Sequence, residues 1–427
     1  MRPTNNHTAS QRESEVTTAT QIAEGQDFQA GGLLSVSFAH ATNDTYTSFL
    51  APLLPALITK LAMSKTQAGL LAFLQSSPSL LQPVIGYLAD RVSLRYFVIL
   101  APAVVATMMS LLGVAPRYAV VALLLILAGL SSASLHAVAP AIAGRLSGTR
   151  LGRGLGMWMV GGTLGYALGP IIVVSAVNLL TLEGTPWLMV GGWLASAILF
   201  VRLRRVPAPP PAIGDRGSLR AGLRALQPLL VPLVGITVMR ALMVAAIFIF
   251  LPTYLTERGA NLWFAGLSVS VAAGAGTVGS LLGGSMSDRW GRRRVLFVFI
   301  LASSLLLFVL LMVSGWAMVP VLVGLGLTMV PTHVILMAVV QESCPDHRAM
   351  ANGLFLSLAF LTESGGAVVL GALGDLFGLP LAFTTGAVVV LLSLPLVFLM
   401  PREGTVSSNK PGPSEPAEDE YPAEVMR

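Results

Sequence analysis

Apolar runs and short polar joins alternate along most of this chain. Twelve runs can be marked, with ends at roughly 33–57, 66–88, 96–115, 118–143, 154–180, 186–203, 228–255, 262–286, 294–314, 316–340, 349–374 and 379–400. About 20 apolar residues suffice to cross the hydrocarbon core of a bilayer. With no water in lipid, such runs must satisfy their own backbone groups and therefore form helices. The pattern predicts an all-α membrane protein of twelve transmembrane helices.

Most joins are short, as antiparallel neighbours require. The longest internal one, 204–227, holds Pro207, Pro209, Pro210 and Pro211 and then Arg216, Arg220 and Arg224. It reads as a cytoplasmic linker between an N-terminal six-helix bundle, 33–203, and a C-terminal one, 228–400. The flanks 1–32 and 401–427 are polar and read as cytoplasmic tails, the second disordered.

Composition agrees with this pattern. Hydrophobic residues make up 54% of the chain and charged residues 11%, against about 25% charged in soluble domains. The single cysteine, Cys344, excludes an internal disulfide and a multi-cysteine metal site. Residues 1–30 hold no apolar core, so no cleavable signal peptide is expected. With the N-terminus inside, the cytoplasmic joins carry sixteen arginines; the opposite side carries only Lys60, Lys65, Arg117 and Arg258. The positive-inside rule then places both termini in the cytoplasm. The net charge of +6 comes from these flanking arginines, which does not suggest nucleic-acid binding.

One loop occurs twice. Gly86, Asp90, Arg91 and Arg95 recur as Gly284, Asp288, Arg289 and Arg293, each 198 residues later, after the second and eighth runs. A repeat at that period indicates two similar halves. Twelve spans in two halves, with this Gly-x-x-x-Asp-Arg-x-x-x-Arg loop in both, resemble the major facilitator superfamily over residues 33–400. The resemblance implies two pseudo-symmetric six-helix bundles that rock between inward-open and outward-open states. It makes Asp90, Arg91, Arg95, Asp288, Arg289 and Arg293 gating residues. An acid at a helix end can pair with arginine or meet a helix N-terminus in one state only; topological anchoring is the simpler reading of the arginines.

Span 5 contains Gly156, Gly165, Gly169 and Pro170 at a spacing similar to the span-5 signature of drug:proton antiporters, although Val173 and Val174 stand where that signature continues with glycines. Small residues there also serve helix packing. A closer resemblance is to the fosmidomycin-resistance family of bacterial inner-membrane exporters, named after a phosphonate antibiotic. It is carried by 38–44 (Phe-Ala-His-Ala-Thr-Asn-Asp), 80–86 (Leu-Leu-Gln-Pro-Val-Ile-Gly), His136, Gln341, Glu342, Pro345 and Asn352. Glu363 lies outside that pattern.

Three charges fall near the middle of spans: Asp44, Arg240 and Glu363. Each costs roughly 2.5–3.5 kcal/mol at the bilayer centre on insertion scales, so each should face the interior or a partner. Asp44 in span 1 and Arg240 in span 7 match in depth, and an ion pair across the pseudo-twofold axis is expected, either structural or used in transport. His40 lies one turn before Asp44 on the same face and could relay protons. Asn43 could bond a substrate or a neighbouring helix. His136 and His333 occupy equivalent places in spans 4 and 10; packing and substrate contact both fit them. The tryptophans fall near span ends, as interfacial belts do, with Trp158 the best placed for a deeper contact.

No Gly-x-x-x-x-Gly-Lys-Ser/Thr loop for ATP is present, and neither a metal-ligand spacing nor a nucleophile–base motif is visible. The expectation is a proton-coupled antiporter, not an enzyme and without cofactor, exporting a small drug-like or anionic compound. Asp44, His40 and Glu363 would handle protons; Arg240, Asn43, His136 and His333 would contact substrate. Its partners would be substrate, protons and the bilayer, and it would work as a monomer in a bacterial inner membrane. The alternatives are an uptake symporter on the same fold and a non-transporting membrane sensor.

Overall fold

The computed structural model describes residues 28–82, 84–85, 95–148, 150–204, 226–343 and 348–400. The described residues contain helices and no strand. Within the described residues all twelve runs are helical. Span 1 is Ala30–Thr47 continued by Leu50–Leu61, and span 2 is Lys65–Ser76 followed by the 3-10 turns Ser77–Leu81. Span 3 is Arg95–Ser110, span 4 Tyr118–Leu146, span 5 Leu151–Leu180 and span 6 Met189–Leu203. Span 7 is Leu230–Ala245, a π-helical turn Ala246–Phe250, and Leu251–Glu257. Spans 8 to 11 are Leu262–Trp290, Arg292–Met312, Met318–Ser343 and Arg348–Phe377; span 12 is Leu379–Leu392 followed by Leu394–Val397. Ten of these helices are long and apolar enough to cross a membrane as single described segments.

The joins are made by local chemistry. Ser64 caps span 2 and exchanges bonds with Gln67 in a capping box. Asn261 caps span 8 through the amide of Phe264, at 2.8 Å. Gly291, at φ +95°, turns span 8 into span 9; a side chain would be strained there.

The helices form two six-helix bundles. In the first, span 1 packs on span 5 and span 3 on spans 4 and 6. In the second, span 7 packs on spans 11 and 12, and span 10 on spans 8 and 9. The bundles meet where span 2 crosses span 11 and span 5 crosses span 8. Small residues allow that approach: Gly69 lies against the backbone of Ala367, and Gly266 against Val174. Outward faces carry exposed apolar side chains such as Leu123, Val201, Leu281 and Leu305, as lipid contact requires. Five tryptophans, Trp187, Trp193, Trp263, Trp290 and Trp316, are partly exposed near helix ends. Trp158 is buried.

One end of the molecule is bridged across the bundles. Asp375 of span 11 accepts the backbone amides of Lys65 and Thr66 at 2.8 Å each. Lys65 Nζ also lies 3.0 Å from Glu257 at the end of span 7.

Candidate functional site: two charged clusters, one in each bundle

In the first bundle, Asp44 is the centre. Its Oδ2 is 3.2 Å from His40 Nε2, one turn back on span 1, and its Oδ1 is 3.6 Å from His136 Nε2 on span 4. Asn43 Nδ2 donates to Asp44 Oδ1 and to Ser132 Oγ, both at 2.9 Å. Asn43 thus ties span 1 to span 4, while its Oδ1 has no partner. The two histidines face each other with Nε2 atoms 3.1 Å apart.

Both rings are held from behind. His40 Nδ1 lies 2.9 Å from the carbonyl of Trp158, and His136 Nδ1 lies 2.9 Å from the carbonyl of Ser132. A carbonyl only accepts, so each Nδ1 carries the hydrogen. A neutral ring then presents a bare lone pair at Nε2. Trp158 stacks on His40 with ring centroids 4.0 Å apart and planes 16° from parallel. On the other flank, Gly162 of span 5 leaves room for the His40 ring, which a methyl group there would strike. Two lone pairs and a carboxylate therefore converge, an arrangement that favours a bound proton or other cation between them.

In the second bundle, Arg240 is buried and pairs through Nη2 with Glu363 of span 11. His333 of span 10 lies 3.5 Å away through Nδ1 and packs against Phe355. Arg240 Nε has no partner. Gly366, one turn beyond Glu363, rests on Ala241 and brings span 11 close to span 7. Tyr166 of span 5 packs edge-on against Phe248 of span 7, 6.0 Å between centroids.

The expected ion pair between Asp44 and Arg240 is not formed. Asp44 is met by His40 and His136, and Arg240 by Glu363, each within its own bundle. The close seam of spans 7 and 11 gives Arg240 a nearer carboxylate than the opposite bundle does. The side chains of Asp44 and Glu363 keep 17% and 28% of their surface accessible, so neither is sealed off.

At the end opposite Asp375, Asp288 pairs with Arg292 at 2.6 Å, and Arg292 also holds Glu342 of span 10 at 2.7 Å. Arg292 and Glu342 are not among the expected gating residues; Arg292 is the first of three arginines after Gly291, and Glu342 belongs to the fosmidomycin-resistance pattern. Arg289 is exposed, and Arg293 Nε donates to the carbonyl of Val397 at 3.1 Å. Arg95 begins span 3 with its guanidinium over the Tyr96 ring. Asp90, Arg91 and Cys344 lie outside the described residues.

The span-5 glycines divide. Gly161 and Gly165 lie against the backbone of Ser37 and Ala41 in span 1, and Gly169 against Thr45 and Ser48. The Pro170 carbonyl faces Gly266 of span 8. Among the described residues nothing packs against Gly156: it is exposed, and a methyl group there would have no neighbour within 4 Å. Its expected packing role is corrected on that ground. Gly162, not singled out in the sequence, is the glycine that touches the charged cluster.

A family model, the Major Facilitator Superfamily, matches residues 36–362 and 278–420. The chain belongs to this superfamily. Among curated members, the fosmidomycin resistance protein of Escherichia coli K12 is 25% identical over 377 residues, covering 86% of this chain and 92% of that protein. The uncharacterized MFS-type transporter YfnC of Bacillus subtilis 168 is 26% identical over 382 residues, covering 87% and 93%. A bacterial homolog of the human lysosomal transporter Spinster, solved inward-facing, superposes with a TM-score of 0.70 at 15% identity, covering 88% of this chain and 97% of that one. The nucleoside transporter NupG, solved as a point mutant, superposes with a TM-score of 0.70 at 16% identity, covering 86% and 99%. Superfamily membership makes this a multi-pass membrane transporter and not an enzyme.

Proposed function

We propose that this transporter is a proton-coupled antiporter that exports a small anionic compound, with a phosphonate such as fosmidomycin as the first cargo to test. The observation that carries the coupling is the convergence of His40 Nε2, His136 Nε2 and Asp44 with both Nδ1 hydrogens committed to backbone carbonyls. That arrangement binds one proton well and repels itself without one. Arg240, whose guanidinium meets Glu363 and His333, and Asn43, which holds Asp44, are assigned to cargo. His333 neighbours Arg240, and Glu363 is the counter-ion that an anionic cargo displaces.

The arginine distribution supports a cytoplasmic location for both termini in a bacterial inner membrane, with bundles 33–203 and 228–400 joined by the cytoplasmic linker 204–227. In that orientation the bridge of Asp375, Lys65 and Glu257 closes the outer face, so the site is reached from the cytoplasm. Asp288, Arg292 and Glu342 then lie at the cytoplasmic face, together with Asp90, Arg91, Arg95, Arg289 and Arg293. We assign this group to gating.

The test is transport into inverted vesicles under an imposed pH gradient. Asp44→Asn is expected to abolish gradient-driven accumulation of fosmidomycin while binding and passive exchange remain. Glu363→Gln is expected to keep coupling at a reduced rate. If Glu363→Gln uncouples and Asp44→Asn does not, the proton is carried in span 11. If uptake into right-side-out vesicles is driven by the inward proton gradient, the protein is a symporter.

A further inference from the structure

The three donors around Asp44 have the spacing of a metal site. Around a tetrahedral zinc ion with bonds of 2.0–2.1 Å, neighbouring ligand atoms lie about 3.3 Å apart. Here His40 Nε2 and His136 Nε2 are 3.1 Å apart, His40 Nε2 and Asp44 Oδ2 are 3.2 Å apart, and His136 Nε2 and Asp44 Oδ1 are 3.6 Å apart. The two histidines meet different oxygens of Asp44, and one ligand atom from each of the three residues lies within 4.8 Å of the other two.

The surroundings are those of a ligand set. A metal-bound histidine almost always donates its other ring hydrogen to a carbonyl or carboxylate, which fixes the tautomer and aims the lone pair. His40 donates to the Trp158 carbonyl and His136 to the Ser132 carbonyl. Asp44 is steadied by Asn43. The ligands sit on spans 1 and 4, two packed helices, and Trp158 holds the His40 ring by stacking.

The other bundle supplies a contrast. Arg240 lies in span 7 at nearly the depth of Asp44 in span 1, and its fixed positive charge lies beside His333. That cluster carries its own cation. The cluster at Asp44 has three electron-pair donors and no fixed cation.

We propose that His40, His136 and Asp44 form a binding site for one divalent transition metal ion, zinc or a close relative, with a fourth position left for water. Imidazole with carboxylate suits such ions rather than calcium or magnesium. The site shares atoms with the coupling proton but does not require the protein to be proton-coupled.

The test uses full-length protein without a histidine tag, purified in detergent and titrated with Zn2+ against a chromophoric chelator. One zinc per chain is expected. His40→Gln and His136→Gln should each weaken binding at least about 100-fold, since losing a ligand exceeds the 10–100-fold loss caused by an outer partner. His333→Gln should leave binding unchanged. Co2+ bound in place of zinc should show the intense visible bands of four-coordinate cobalt. Zinc should also protect His40 and His136 of the wild type from carbethoxylation, a reading that needs no variant to fold. Equal zinc affinity in wild type and His136→Gln, or no protection of the two rings, would overturn the proposal. Binding is read without a gradient, so its failure leaves proton coupling standing, and loss of coupling leaves the metal site standing.

Discussion

Asp375 and Thr66 meet across the two bundles: Oδ2 of Asp375 accepts both the backbone amide of Thr66, at 2.8 Å, and its hydroxyl, at 2.6 Å. The other carboxylate oxygen takes the amide of Lys65. The acid of one bundle therefore caps a helix N-terminus of the other, where free amides and the helix dipole both favour negative charge. Asp375→Asn keeps the shape and removes the charge and an acceptor. Losing such a cap costs about 1 kcal/mol, roughly a fivefold change in a two-state balance. Spin-label distances between the Lys65 end of span 2 and the Asp375 end of span 11 should lengthen in a larger fraction of molecules. An unchanged distribution would show that Asp375 does not hold the two bundles together at this end.

The pair of Arg240 and Glu363 predicts unequal losses. Removing one partner of a buried pair costs about 3–5 kcal/mol, because the other is left charged and unpaired. Glu363→Ala strands Arg240, whose side chain is 5% exposed; Arg240→Ala strands Glu363, which at 28% keeps access to water. Thermal melting in detergent should therefore fall further for Glu363→Ala than for Arg240→Ala. The double variant should be less destabilised than the sum. Additive losses would show that the two residues do not act as a pair.

Two span-5 glycines should respond oppositely to alanine. Gly156 is exposed with open space beside it, so Gly156→Ala should stabilise the helix by about 0.5–1 kcal/mol. Gly162→Ala places a methyl group against the His40 ring. Overpacking of this kind costs about 1–3 kcal/mol, and moving His40 should lower transport as well. Melting temperatures and vesicle transport measured side by side check both; wild-type transport by Gly162→Ala would contradict the contact.

At the end opposite Asp375, Arg292 should matter more than Arg289. Arg292 joins Asp288 to Glu342, while Arg289 is exposed. Arg292→Ala should change the distance distribution between labels at the ends of spans 8 and 10, and Arg289→Ala should leave it as in wild type. The reverse order would shift the gating role to the arginine of the repeated motif.

Topology is checked by Cys344, the single thiol. A membrane-impermeant thiol reagent should label it only after cells are opened. Labelling in intact cells would turn the orientation over and with it the direction assigned to transport.

The number of spans and their approximate places could be read from the chain itself. Lipid cannot satisfy a bare backbone, so each apolar run of sufficient length has one available structure. The cost of burying charge also marked Asp44, Arg240 and Glu363 from spacing alone. Their partners could not be read that way. Asp44 and Arg240 match in depth, but depth says nothing of the lateral distance between helices, which depends on where glycines allow backbones to approach. Gly366 brings span 11 against span 7 and gives Arg240 the carboxylate of Glu363; Gly162 and Trp158 hold His40 beside His136. The cap that Asp375 places on span 2, more than 300 positions away in sequence, is a bond between bundles that no local pattern encodes. The length and order of the apolar runs therefore determined which residues form the spanning helices, and only the packing of those helices decided which of them touch.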